Sequence, residues 1–302
     1  MGDFLNSFTE KLGNIAGKWP SYAAFGSFLL YLVGYLTLRF QLSTYGLATD
    51  LDLFDEKYLF AGCRFVVNLV SAIPSILIIV LVLSAVGYIP YRLTPASVRE
   101  RLRRWLAGLW ANPTYLAFVG IVFAVVFIQL VMRKCFGFGN LLLRRGLPDD
   151  WITSVLLASD GRLTLYFSGL VAGTLLTAII AWRAIELRSS AGPFTRLVVA
   201  TLVFLVAVEF LLLPVNYGVL ISTQQLPQVA DLPTNEKLLD GQRAWMVWNS
   251  KETLTYFLYG PSDRRMLLTV PRKDTPVRLV AYDDIYCVLF SAEHSNARPC
   301  PR

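Results

Sequence analysis

Five stretches of this chain are too long and too apolar to be stable in contact with water, and that fact limits what it can fold into. They run from Tyr22 to Arg39, Phe60 to Tyr88, Tyr115 to Met132, Leu165 to Trp182 and Leu197 to Tyr217. A hydrocarbon core about 30 Å thick takes roughly 20 helical residues to cross. Lipid offers the backbone no hydrogen bonds, so a continuous apolar run must satisfy its own peptide groups as a helix. The expected architecture is a membrane α-helical bundle of about five transmembrane helices over residues 1–220. A linker over 221–243 and a small all-β extramembrane domain over 244–302 follow.

Composition agrees. Hydrophobic residues make up 55% and charged residues 16% of the 302 positions, against roughly 25% charged in a soluble domain. The net charge of +7 comes mainly from residues 1–220, with 18 Lys and Arg against 12 Asp and Glu. No compact soluble face gathers it, so the lipid bilayer is the expected partner and nucleic acid is not. Met1-Gly2 begins like an acylation signal, but Asn6 stands where Ser or Thr is needed. The first apolar run lacks a small-residue cleavage site and reads as a retained helix.

Each segment has its own signals. Phe4, Leu5, Phe8, Leu12 and Ile15 suggest a short amphipathic helix before the first span. The second run overshoots the bilayer at ~43 Å, and Pro74 near its middle supplies a kink. Asp52 suits a helix N-cap better than a calcium loop, because Phe54 occupies a ligand position. Between 95 and 110, Val98, Leu102, Trp105, Leu106 and Leu109 form one stripe beside Arg99, Arg101, Arg103 and Arg104. This is expected to be an interfacial helix at the membrane surface. Gly137-Phe138-Gly139 has Cys135 where a potassium filter needs threonine, and a short helix is expected from Asp149 to Ala158. In the fourth span Gly169, Gly173 and Thr177 share a face suited to close helix packing, within the chain or between copies.

The arginine cluster from Arg99 to Arg104 places its own side in the cytoplasm, with the N-terminus inside and the C-terminal domain outside. Cys63, Cys135, Cys287 and Cys300 then share the outer side. If they pair, 63 with 135 and 287 with 300 is the simplest arrangement. A ratio of 21 Arg to 7 Lys fits a bacterial inner-membrane protein. In the tail, strands are expected at 244–248, 253–259, 265–270, 277–282 and 285–290, forming a meander closed as a small barrel or sandwich. Trp245, Trp248, Tyr256 and Tyr259 are its expected core.

The fifth span holds the costliest residue. Glu209 lies in an apolar helix with Pro214 and Asn216, and Pro214 frees the carbonyl of Phe210 and is expected to kink the helix. By helical rise, Glu209 and Asn68 sit at similar depths, with Arg64 and Gln129 in the same half. These four could form a buried polar cluster that fixes packing or serves an ion or solute path. No Walker loop, zinc spacing or helical histidine pair is present, so no metal, cofactor or enzymatic activity is expected. Three functions remain open: an accessory or assembly subunit engaging another membrane protein or a second copy, a small transporter or channel component, and a membrane sensor.

Overall fold

The computed structural model describes residues 2–47, 56–143, 160–187, 192–222, 225–232, 242–250, 252–260, 264–272 and 277–285, with the backbone alone over 2–19 and at 135 and 136. It is mostly helical, with a five-stranded antiparallel sheet at the C-terminal end. The helices are α1 (Gly2–Tyr45), α2 (Glu56–Ser71), α3 (Ile73–Leu93), α4 (Ala96–Ala111), α5 (Pro113–Gly137), α6 (Asp160–Leu187) and α7 (Pro193–Leu220). Five helical stretches are long and apolar enough to cross a membrane: Pro20–Tyr45, Glu56–Leu93, Pro113–Lys134, Gly161–Leu187 and Pro193–Leu220.

Two boundaries differ from the sequence expectation. The amphipathic lead-in is not a separate helix, because α1 continues through Pro20 without interruption. The long second span is broken at Ala72, two residues before Pro74. Proline is tolerated in the first turn of a helix, where no N–H partner is needed, so Pro74 opens α3 just after this interruption. The proposed cap at Asp52 and helix from Asp149 to Ala158 lie outside the described residues.

The end of α1 shows why a helix stops where it does. Gly46 takes a positive φ of 79°. Its N–H donates to Ser43 O and that of Leu47 to Leu42 O, the paired bonds of a Schellman cap. The turn after α5 adds to this cap, with Asn140 N and Leu141 N donating to the carbonyls of Ser43 and Thr44. Phe138 of Gly137-Phe138-Gly139 is buried in the same region.

α1 packs on α2 and α7, while α5, α6 and α7 pack on one another. Lys57 Nζ donates to Asn249 O, which puts the start of α2 at the sheet end. Thr114 and Thr195 share a hydroxyl hydrogen bond of 2.8 Å, which puts the starts of α5 and α7 together at the opposite end. Successive spans therefore alternate in direction.

The strands are β1 (Gln225–Val229), β2 (Arg243–Asn249), β3 (Thr253–Gly260), β4 (Arg264–Pro271) and β5 (Leu279–Asp284), in the order β4-β3-β2-β1-β5. β1 comes from the stretch read as a linker. It lies between β2 and β5, so the arrangement is one sheet with a crossover and not a meander, barrel or sandwich. Pro227 conceals this strand in the sequence. It is tolerated because β1 pairs with β2 only at Gln228 and Val229, leaving the proline beyond that ladder. Of the expected strand 285–290, only Ile285 lies within the described residues.

Alternation along β3 divides the sheet into two faces. Leu254, Tyr256 and Leu258 share one with Val229, Ala244 and Val270. On the other face, Trp245 and Phe257 join Leu226 and Ile285 in a core with Leu42, Tyr45, Phe138, Leu163, Val219 and Leu220 of the helical part. Sheet and helices thus share a hydrophobic core. Trp245 Nε1 also donates to Asp283 Oδ2 at 2.8 Å, tying β2 to β5 across β1.

Candidate functional site

The inward stripe of α7 is Val199, Leu202, Val206, Glu209, Leu213 and Asn216, all buried at alternating spacings of three and four residues. Glu209 is 0% exposed, and neither carboxyl oxygen has a hydrogen-bond partner among the described residues. Thr177 of α6 is the hydroxyl beside it. That hydroxyl donates to Gly173 O of its own helix at 2.9 Å.

Two other interior polar groups bond in the same way. Ser168 donates to Thr164 O and Asn216 to Leu212 O, each four residues back along its own helix. Such back-bonding satisfies the side chain locally. Side-chain bonds between helices occur at the far end, between Thr114 and Thr195, and at the seam between α1 and α7. There Thr37 Oγ1 donates to Pro214 O at 3.4 Å and Gln41 Nε2 to Ser222 O at 3.1 Å. Pro214 stays within a continuous α7, with a neighbouring helix donating to its carbonyl.

The four groups proposed for a polar cluster are not drawn together. Arg64 and Gln129 are exposed and Asn68 is half-buried. None of the three hydrogen-bonds to Glu209. Arg64 lies instead near Tyr217, whose ring meets those of Phe65 and Phe167 at centroid distances of 5.6 and 6.1 Å. The reason is rotational: the buried positions of α2 are Tyr58, Ala61, Gly62 and Phe65, which turns Arg64 outward. The same rotation exposes Cys63, which forms no disulfide among the described residues. Cys287 and Cys300 lie outside the described residues, as does the side chain of Cys135.

The small-residue stripe of α6 accommodates a side chain. A Cβ at Gly173 would come 2.7 Å from the Phe127 ring of α5, whereas one at Gly169 meets nothing within 4 Å. Close backbone approaches occur elsewhere, at glycines that carry no distinguishing sequence signal. A Cβ at Gly34 would strike the Tyr58 carbonyl, one at Gly62 the Leu30 carbonyl and one at Gly218 the Thr37 carbonyl.

α3 and α4 are the surface elements of the helical part, and neither has a buried residue. Leu81, Leu83 and Leu93 of α3 are 70%, 65% and 81% exposed. On α4, Trp105 and Leu106 are exposed, as are Arg101, Arg103 and Arg104. Arg99 differs from the other arginines: its guanidinium donates to Thr94 O at 3.1 Å and lies 5.4 Å from the Tyr91 ring centroid, holding the corner between α3 and α4.

No protein-family model, curated protein or solved structure matches this chain. The functional reading therefore rests on the geometry. Among the described residues no group of His, Cys, Asp and Glu side chains could hold a metal. A cavity of about 680 Å³ lies between α1, α2, α3, α6 and α7. Its walls include Val33, Phe65, Leu69, Ile76, Val171 and Ala207, and its one polar lining residue is Thr174. The Thr174 hydroxyl is itself buried without a hydrogen-bond partner among the described residues.

Proposed function

We propose that the chain is a multi-pass membrane protein that acts as an assembly or interaction subunit. Its five apolar stretches cross the bilayer, its sheet lies on the extracytoplasmic side, and α3 with α4 engages another membrane protein or a second copy. The observation that carries this reading is the absence of any buried residue on α3 and α4. In lipid there is no hydrophobic force between helices, and association comes from packing. α5, α6 and α7 obtain that packing from one another, whereas α3 touches α6 and Ile76 is packed in the core, and from Val80 to Leu93 every residue of α3 is exposed. The arginines of α4 favour the cytoplasmic side for this end of the bundle.

The test places a photo-crosslinking residue at Leu81 or Val86 in native membranes. A protein adduct of fixed mass, recovered again as a fixed-ratio complex in mild detergent, supports the reading. Lipid adducts alone, with a lone chain in detergent, overturn it.

A second reading is a proton or ion path through Glu209, favoured by its two unpartnered oxygens. Against it, the hydroxyl of Thr177 beside it already donates within its own helix. In a liposome flux assay the path requires Glu209→Gln to abolish flux while folded protein persists; unchanged flux removes it.

A further inference from the structure

We propose that the cavity between α1, α2–α3 and α6–α7 is a binding site for one acyl chain of a bilayer phospholipid. The inference rests on the membrane reading above. The volume, about 680 Å³, falls within the ~300–1,000 Å³ of small-molecule sites. Its rim is exposed at Leu29, Val70, Ile73, Leu175, Phe210 and Leu211, so the space opens sideways and a flexible chain can enter without parting the helices. Thr174 lies near the middle of α6, placing the cavity at the depth of hydrocarbon tails.

Chemistry narrows the occupant further. The walls offer valine, leucine, isoleucine, alanine and phenylalanine, and the single hydroxyl at Thr174 is sealed from solvent. A ligand with ring carbonyls or hydroxyls would bury them unpaired, a loss of affinity that a plain hydrocarbon chain avoids. Acyl chains are the surrounding solvent, so mass action favours their entry.

The break at Ala72 helps form the site. Leu69 and Val70 precede it and Ile73 and Ile76 follow it, and all four line the cavity. The occupant therefore packs against both halves of the broken span.

The test is native mass spectrometry of the full chain extracted from membranes and stripped with increasing detergent. Wild type is expected to retain one phospholipid per chain after the others are lost. Ala207→Trp and Leu211→Trp, which fill the cavity from α7, are expected to abolish that last adduct. Val122→Trp, on the exposed face of α5, is expected to keep it. Equal lipid retention in all four proteins overturns the proposal, as does a bound polypeptide in place of the lipid mass. Two filling variants on different lining positions protect the test against one failure to fold. Failure of the membrane reading is separately visible, because the protein would then be recovered without detergent in the soluble fraction.

Discussion

At Glu209 a carboxyl lies within the packed stripe of α7 with neither oxygen hydrogen-bonded among the described residues. Replacing it with leucine removes a desolvated polar group and strands no partner. Glu209→Leu is therefore expected to raise the thermal midpoint in detergent, by the equivalent of about 1–3 kcal/mol. A lower midpoint would show that the carboxyl is bonded in the folded protein. Tyr256 is the comparable case in the sheet, buried with its hydroxyl unpartnered among the described residues. Burial pushes its phenol above the usual value near 10. The folded state then holds the proton where the unfolded state releases it, so this stability is complete below about pH 10 and is lost as pH rises further. Tyr256→Phe should flatten the alkaline limb of a stability profile above about pH 10; an unchanged slope would place the titration elsewhere. The cost of Glu209 was legible in the sequence because a carboxylate in an apolar run is conspicuous at any rotation. Its surroundings were not, because matching depths along helices do not fix which way Arg64 or Gln129 points.

Among elements, the seams of α1 depend on absent side chains. Gly34 and Gly62 set its approach to α2, and Gly218 sets its approach to α7. Gly62→Val or Gly218→Val would force backbone against backbone and is expected to cost about 3 kcal/mol or more, as overpacking at rigid contacts does. Gly87→Val and Gly169→Val, where nothing lies within 4 Å, should leave the thermal midpoint nearly unchanged. If all four variants behaved alike, the seams would not be glycine-dependent. The five apolar helices were visible beforehand because long continuous apolar runs stand out in the sequence and have few stable alternatives to a helix. Glycine contacts were hidden, since any glycine in a helix looks equally available until its neighbour is known. β1 was missed for the opposite reason: Pro227 is a strong local signal against a strand, and the short ladder with β2 that accommodates it is a tertiary fact.

Across the whole molecule, the sheet and the helices share one core, in which Trp245 and Phe257 pack in the same cluster as Tyr45, Phe138 and Leu220. Lys57 strengthens the junction, with its ammonium 5.1 Å from the Trp248 ring centroid and bonded to Asn249 O. Thermal unfolding is accordingly expected as one transition, followed both by tryptophan fluorescence and by helical circular dichroism. Two separated transitions would mean that the sheet melts independently. Cleavage after Ser222 would not release a soluble fragment from an intact bundle; it would leave each piece with a raw apolar face. A force applied to the sheet would reach the ends of α1 and α7 through that shared core, as a key turns its shaft.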